Sequence, residues 1–194
     1  MNEKILITGG AGFIGSNLVL ELLKKNYIVT VLDNLSPQIH GADQNSYLYM
    51  SIKDNVNFIK GDVRSLDDWM KAIDKQDIIV HLAAETGTGQ SMYEIQRYID
   101  VNSAGTALML DIIANKKTNI QKMIIASSRA IYGEGKYFCK EHSFVFPEHR
   151  KNDDMANGDF EVKCPICGKN VSLLATDEES KIHPSSIYGI TKQN

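Results

Sequence analysis

The chain has 194 residues, with 21 Lys and Arg against 24 Asp and Glu and a formal net charge of −3. That length suits one ordinary domain, and 43% apolar residues can fill its core, which argues against intrinsic disorder. The near-neutral balance, without a long Lys/Arg block, excludes nucleic acid and anionic membrane as the main partner, and no apolar run nears the ~20 residues that span a bilayer.

Short apolar runs alternate with stretches of helical period. Residues 4–8 read as a strand, 13–25 as an amphipathic helix, and 27–32, 56–59, 77–82 and 122–126 as further buried strands rich in Ile and Val. Helices are predicted at 65–73, with Ser65 and Asp68 in capping-box positions, and at about 92–115. Strands alternating with helices imply right-handed crossovers, so the fold predicted is α/β, a doubly wound parallel sheet of Rossmann type. The pattern stops after Gly133. From about 136 to 176 the composition turns polar, with Pro147, Pro165, Gly158, Gly168 and all three cysteines, which reads as an insertion without an apolar core. A last helix starts near Pro184, where Ser185 or Ser186 can cap it. The organisation expected is therefore 1–136 as the dinucleotide-binding region, 137–176 as the insertion, and 177–194 as the start of one more helix.

Gly9, Gly12 and Gly15 follow the first strand at three-residue spacing and open into a helix. Gly9 supplies the tight turn, Gly12 lets the backbone approach a pyrophosphate at the helix N-terminus, and Gly15 lets helix and sheet pack closely. Asp33, ending the second strand, suits a pair of ribose hydroxyls and repels a 2′-phosphate, which favours NAD over NADP. Asp62 and Val63 end the third strand, where they can meet an adenine edge. Leu82, Ala83 and Ala84 end the fourth, where small residues let the backbone run close to a cofactor. Tyr188 and Lys192 are spaced i, i+4, so both lie on one helix face, and an ammonium beside a phenol favours the phenolate that a general base needs. Ser128, after the fifth strand, can hydrogen-bond a substrate oxygen at the carboxyl edge of the sheet.

The segments TGGAGFIG, Asp33-Asn34, Gly61-Asp62-Val63, HLAA at 81–84, Asn102 in VNSAGT, SSRAIYG at 127–133 and YGITK at 188–192 together resemble the extended short-chain dehydrogenase/reductases, specifically the NAD-dependent nucleotide-sugar epimerase/dehydratase group. The resemblance implies that Gly9, Gly12, Phe13, Ile14, Gly15, Asp33, Asn34, Asp62, Val63, Leu82, Ala83, Ala84 and Asn102 hold NAD. It implies that Ser128 and Tyr188 are catalytic, and that Lys192 assists Tyr188 and binds the ribose. The Asp-Glu pair with which dehydratases of this group eliminate water is replaced by Arg129 and Ala130, so a 4-epimerase is favoured. The stretch 85–95 and the insertion most resemble the dTDP-L-rhamnose 4-epimerase branch. Family members continue past this helix into a region with most nucleotide-sugar contacts, so the resemblance implies the N-terminal part of a longer, homodimeric enzyme. Without that region the sheet is expected to expose an edge and to self-associate. Two alternatives stay open: net dehydrogenation or dehydration on the same cofactor, and a non-catalytic module binding NAD or zinc.

The insertion carries Cys139-x-x-His142 and Cys164-Pro-Ile-Cys167-Gly, two pairs that can close a tetrahedral, structural Cys₃His zinc site. His149 competes with His142 as fourth ligand, and reduced thiols or a labile redox pair are the alternative. The thiol pattern and the absence of a basic-then-apolar leader point to a cytoplasmic protein without a membrane partner. His81 is expected to pack beside the sheet, His40 and His183 to sit in polar loops, and Trp69 to serve packing.

Overall fold

The computed structural model describes residues 3–194. They form two compact units, one built from the chain up to Glu85 with Gln96–Ala126, the other from Thr86–Ile95 with Ser127–Asn194. No helix among the described residues is long and apolar enough to cross a membrane.

The first unit runs β1 (Lys4–Thr8), α1 (Phe13–Lys24), β2 (Ile28–Asp33), α2 (Pro37–His40), α3 (Tyr47–Met50), β3 (Asn57–Lys60), α4 (Leu66–Ile73) and β4 (Ile78–His81). Its sheet is five-stranded in the order β3-β2-β1-β4-β5, with β5 at Lys122–Ile125 and every pairing parallel, as in the doubly wound fold expected. Strand alternation sorts the core into two layers. Ile5, Ile7, Val29 and Val31 pack with Val19 of α1, whereas Leu6, Leu32 and Ile79 pack with Trp69 and Met109. Trp69 is fully buried and its indole N–H donates to the Val63 carbonyl at 2.6 Å, so its role here is packing. Ser65 caps α4 by accepting from the Asp68 amide, and the Asp68 carboxylate accepts from the Asp62 amide three residues before the cap.

Two expectations need correction here. The single helix read over 92–115 is interrupted: α6 (Ile95–Tyr98) passes into a π-helical turn (Ile99–Ala104) before α7 (Gly105–Asn115). A wide turn of this kind adds one residue to the ladder and re-aims a side chain, and here it carries Asn102 inward. The fifth strand is not buried. It forms one edge of the sheet, and Met123, Ile124 and Ile125 are 39%, 52% and 45% exposed. An edge strand has a single neighbour, so its Ile-rich composition reads like that of a central strand without sharing its burial.

The second unit contains α5 (Thr88–Ser91), a 3₁₀ turn at Arg129–Tyr132, β6 (Tyr137–Cys139), β7 (Ser143–Val145), α8 (Asn152–Ala156), β8 (Ser172–Leu173) and α9 (Ile187–Gln193). The cysteine-bearing segment is more ordered than its polarity suggests. β7, β6 and β8 form a small antiparallel sheet, and Tyr137, Cys139, Val145, Val162 and Cys164 make a compact buried cluster, so an apolar core exists where none was expected. Two of its five members are cysteines, which composition counts as chemistry and not as packing. Ser186 caps α9, accepting from the Gly189 amide at 3.0 Å.

Candidate active site

The glycine turn lies between β1 and α1. Gly9 has φ +68°, and a Cβ there would sit 2.7 Å from the Ala83 nitrogen and 2.9 Å from the Leu82 carbonyl carbon, so the turn is pressed against the stretch leaving β4. A Cβ on Gly15 would lie 2.3 Å from the Gly9 carbonyl oxygen, which is the close helix packing its position predicts. Gly12 differs: a Cβ there would meet only the Gly9 oxygen, at 3.4 Å. Gly12 is also the N-cap of α1 and makes no side-chain cap bond, so the first amides of the helix present their positive end beside an open backbone. Phe13 and Ile14 on this first turn are 74% and 68% exposed.

Asp33 is buried at the end of β2. Its two oxygens accept from the Ala11 amide at 3.0 Å and the Leu35 amide at 2.9 Å, so this carboxylate fixes the glycine turn and its own loop. Each oxygen keeps a second lone pair for a ribose hydroxyl. His40, expected in a polar loop, is buried on α2; its Nδ1 meets Ser46 Oγ at 2.6 Å and its Nε2 lies 3.8 Å from Asp33 Oδ1. The loop after β2 folds back on itself, and nothing in the local sequence signals that.

Asp62, expected to meet an adenine edge, is engaged by the protein itself. Its Oδ1 accepts from the Arg64 amide and Nε, both at 2.9 Å, and its Oδ2 from Arg64 Nη2 at 2.8 Å and Asn34 Nδ2 at 3.3 Å. The Arg64 fork pulls the Asp62 carboxyl down to about 2. Asn34 thereby ties the ends of β2 and β3 together.

At the end of β4 a hydrogen-bond relay runs through His81. The Ala83 amide donates to Thr8 Oγ1 at 3.2 Å, Thr8 Oγ1 meets His81 Nδ1 at 2.7 Å, His81 Nε2 meets Thr106 Oγ1 at 3.1 Å, and Thr106 donates to the Asn102 carbonyl at 2.6 Å. Because the Thr106 proton is committed to Asn102, His81 Nε2 is the donor to Thr106 Oγ1. Asn102 accepts from the Glu85 amide at 2.8 Å and donates to the Glu85 carbonyl at 3.0 Å, which pins the backbone just beyond Ala83 and Ala84. Arg97 pairs with the Glu85 carboxylate at 2.9 Å. Sequence reasoning missed Thr8, Thr106 and His40, whose partners lie far along the chain or in a loop that folds back, and Arg64, whose fork closes on Asp62 two residues away.

Within the second unit, Ser128 accepts from the Ala130 amide at 3.1 Å and so caps the 3₁₀ turn. α9 lies directly on that turn: a Cβ on Gly189 would stand 2.7 Å from the Ala130 carbonyl oxygen, and Ser127 Oγ donates to the Lys192 carbonyl at 2.9 Å. Tyr188 and Lys192 are one helical turn apart on α9, and burial pushes the Lys192 ammonium below its ordinary value.

In the same unit Cys139, His142, Cys164 and Cys167 converge, with all four donor atoms within 4.8 Å of one another. Cys139 Sγ lies 3.6 Å from His142 Nδ1 and 3.8 Å from Cys167 Sγ, and Cys164 Sγ lies 3.7 Å from His142 Nδ1. A tetrahedral zinc with bonds of about 2.3 Å to sulfur and about 2.1 Å to nitrogen needs edges of about 3.6–3.8 Å between such donors. The three thiols are unpaired by disulfide, and the Glu141 amide aimed at Cys139 holds that thiol below its usual value. His149 is outside the cluster.

The family described as NAD dependent epimerase/dehydratase matches residues 5–150. The chain is 34% identical over 195 residues to dTDP-L-rhamnose 4-epimerase of Burkholderia thailandensis, a match spanning 98% of this chain and 51% of that protein. It is 34% identical over 137 residues to the bifunctional UDP-glucose 4-epimerase and UDP-xylose 4-epimerase 1 of Pisum sativum, spanning 69% and 39%. Among solved structures, UDP-glucuronic acid 4-epimerase of Bacillus cereus in complex with UDP-glucuronic acid and NAD superposes with a TM-score of 0.69 at 28% identity, over 98% of this chain and 49% of that one. The chain spans about half the length of the relatives it matches most fully.

Proposed function

This chain belongs to the NAD dependent epimerase/dehydratase family, and from that premise we propose that it is the N-terminal part of an NAD-dependent nucleotide-sugar 4-epimerase. The open, amide-lined start of α1, the glycine turn and the buried Asp33 fit a dinucleotide, and Gly9, Gly12, Phe13, Ile14, Gly15, Asp33, Asn34, Asp62, Val63, Leu82, Ala83, Ala84 and Asn102 would hold it. Bound NAD supplies a hydride acceptor that returns the hydride, so no net redox change results.

Tyr188 takes the proton of the sugar 4-hydroxyl as general base, and Ser128 hydrogen-bonds the same oxygen. Lys192 holds positive charge beside the phenol and reaches the ribose. A 4-keto sugar that presents its other face would regain the hydride at C4 and the proton from Tyr188 at O4, with inverted configuration. The observation that carries this reading is the seating of α9, the helix of Tyr188 and Lys192, on the turn that Ser128 caps. Arg129 and Ala130 have no carboxyl with which to eliminate water, which favours epimerase over dehydratase.

We assign dTDP-L-rhamnose as the first substrate to test, supported by a match to the Burkholderia protein that spans 98% of this chain. The quartet Cys139, His142, Cys164 and Cys167 is a structural zinc site, so 137–176 acts as a zinc-ordered insertion between the NAD-binding region 1–136 and the helix in 177–194. Thiols arranged as ligands and not as disulfides suit a cytoplasmic enzyme, and the complete protein is assigned as a homodimer. The test incubates the complete gene product with dTDP-L-rhamnose, UDP-glucose and UDP-glucuronic acid and follows C4 configuration by NMR. Inversion without NADH is expected, reduced at least about 100-fold in Tyr188→Phe with NAD affinity kept. Stoichiometric NADH would instead identify a dehydrogenase, and unaltered function in Tyr188→Phe a binding module.

A further inference from the structure

We propose that the metal cluster is a clamp that sets the position of the catalytic helix, so that metal occupancy governs turnover far more than cofactor affinity. The proposal rests on the zinc reading above and extends it to catalysis.

Sixty positions separate Ser128 from Tyr188 (188 − 128), and three rungs close that span within one unit. Nearest the catalytic residues, the His183 amide donates to the Ile131 carbonyl at 2.7 Å, and Gly133, at φ +57°, lies so close to the His183 carbonyl oxygen that a Cβ would stand 2.3 Å away. In the middle, the Leu174 amide donates to the Lys136 carbonyl at 3.0 Å, Lys136 Nζ pairs with Asp177 at 3.0 Å, and Tyr137 and Phe138 pair with Leu173 and Ser172. Farthest out, the cluster begins at Cys139, the last residue of β6, one residue beyond that pairing.

The rungs depend on one another. β8 has two residues and β6 three, too short to hold a pairing unaided. The small core behind them keeps only Tyr137, Val145 and Val162 when the two buried cysteines lose a shared ligand. Metal release therefore frees the middle rung, and with it the chain that enters α9 through His183, Pro184 and the Ser186 cap. All the cofactor residues but Tyr188 and Lys192 belong to the other unit and share none of these bonds.

The experiment uses the complete gene product. Elemental analysis is expected to find one zinc per chain. Dialysis against a chelator should lower kcat for the nucleotide sugar at least tenfold, speed amide exchange over 183–193, and raise the NAD Kd, through the Lys192 contact to the ribose, by a smaller factor than kcat falls. A metal-free variant supplies the rescue: replacing 140–170 with Asn-Gly, together with Cys139→Ser, joins β6 to β8 by a tight hairpin, and its kcat should return to within threefold of the zinc-loaded enzyme, insensitive to chelator. Absence of metal overturns the zinc reading and the clamp together. Bound zinc whose removal changes neither kcat nor exchange overturns the clamp alone, as does a parallel loss of NAD affinity. A hairpin variant that binds NAD but stays inactive also refutes the clamp; one that has lost NAD affinity has misfolded, and the chelation result then decides.

Discussion

Two glycines three positions apart should respond oppositely to the same methyl group. In Gly15→Ala the new Cβ would stand 2.3 Å from the Gly9 oxygen, 2.6 Å from the Gly10 Cα and 2.9 Å from the Gly10 carbonyl carbon, all backbone atoms that no rotamer change can move aside. Restoring ordinary contact requires α1 and the turn to separate by about 1 Å, and overpacking of this kind costs about 3 kcal/mol, offset by about 1 kcal/mol of helix propensity. The net, about 2 kcal/mol, lowers Tm by about 4–8 °C in a chain of this size. Gly12→Ala meets only one oxygen at 3.4 Å, so its stability should match the parent. Its methyl group would stand where the backbone is open to a pyrophosphate, and NAD affinity should fall at least tenfold. Thermal unfolding and calorimetric NAD titration of both variants check this. A Gly15→Ala protein with unchanged Tm, or a Gly12→Ala protein that binds NAD like the parent, refutes the division of labour argued for these positions.

Arg64→Gln removes the fork that holds Asp62 near 2, so Asp62 should titrate closer to an ordinary carboxyl, read by ¹³C NMR. The depressed value stabilises the fold above the unfolded-state pKa and is lost as pH falls through about 2. The variant should therefore be less stable at neutral pH, by about 1 kcal/mol once screening at the half-exposed Arg64 is allowed for, and the two proteins should converge in strong acid. Equal stability across that range would count against the fork. His81→Leu leaves the buried Thr8 hydroxyl without its ring partner and should cost about 2 kcal/mol, seen as a lower denaturant midpoint; an unaltered midpoint would show that the relay carries no weight.

Motifs governed by neighbours in the chain were legible. The glycine spacing, the alternation of strand and helix, the Ser65 and Ser186 caps and the two Cys-x-x pairs all depend on backbone geometry within a few residues, and the structure brings each about. What sequence left dark depends on partners far along the chain. The π turn that aims Asn102 at Glu85, 17 positions away, looks like continuous helix in a periodicity scan. Thr8 and His81, 73 positions apart, join only because β1 and β4 pair in register. Burial of β5 was misread for the same reason: composition records what a strand is made of, and its place in the sheet order decides whether a neighbour covers it.

Asp33 shows why a motif read correctly still understates a side chain. Its position predicts a ribose ligand, yet both oxygens already hold backbone amides, one from the glycine turn and one from the loop after β2. Removing the carboxyl would therefore loosen the turn and delete a ribose acceptor at once, and weaker NAD binding in such a variant would not separate the two causes. The proposed preference for NAD would follow from charge that must stay where the fold needs it. A 2′-phosphate would have to approach a buried carboxylate that cannot turn away without giving up the amides of Ala11 and Leu35. Specificity at this position would thus be a by-product of loop construction, and discrimination between the two cofactors by the unaltered protein tests it more cleanly than any substitution at Asp33.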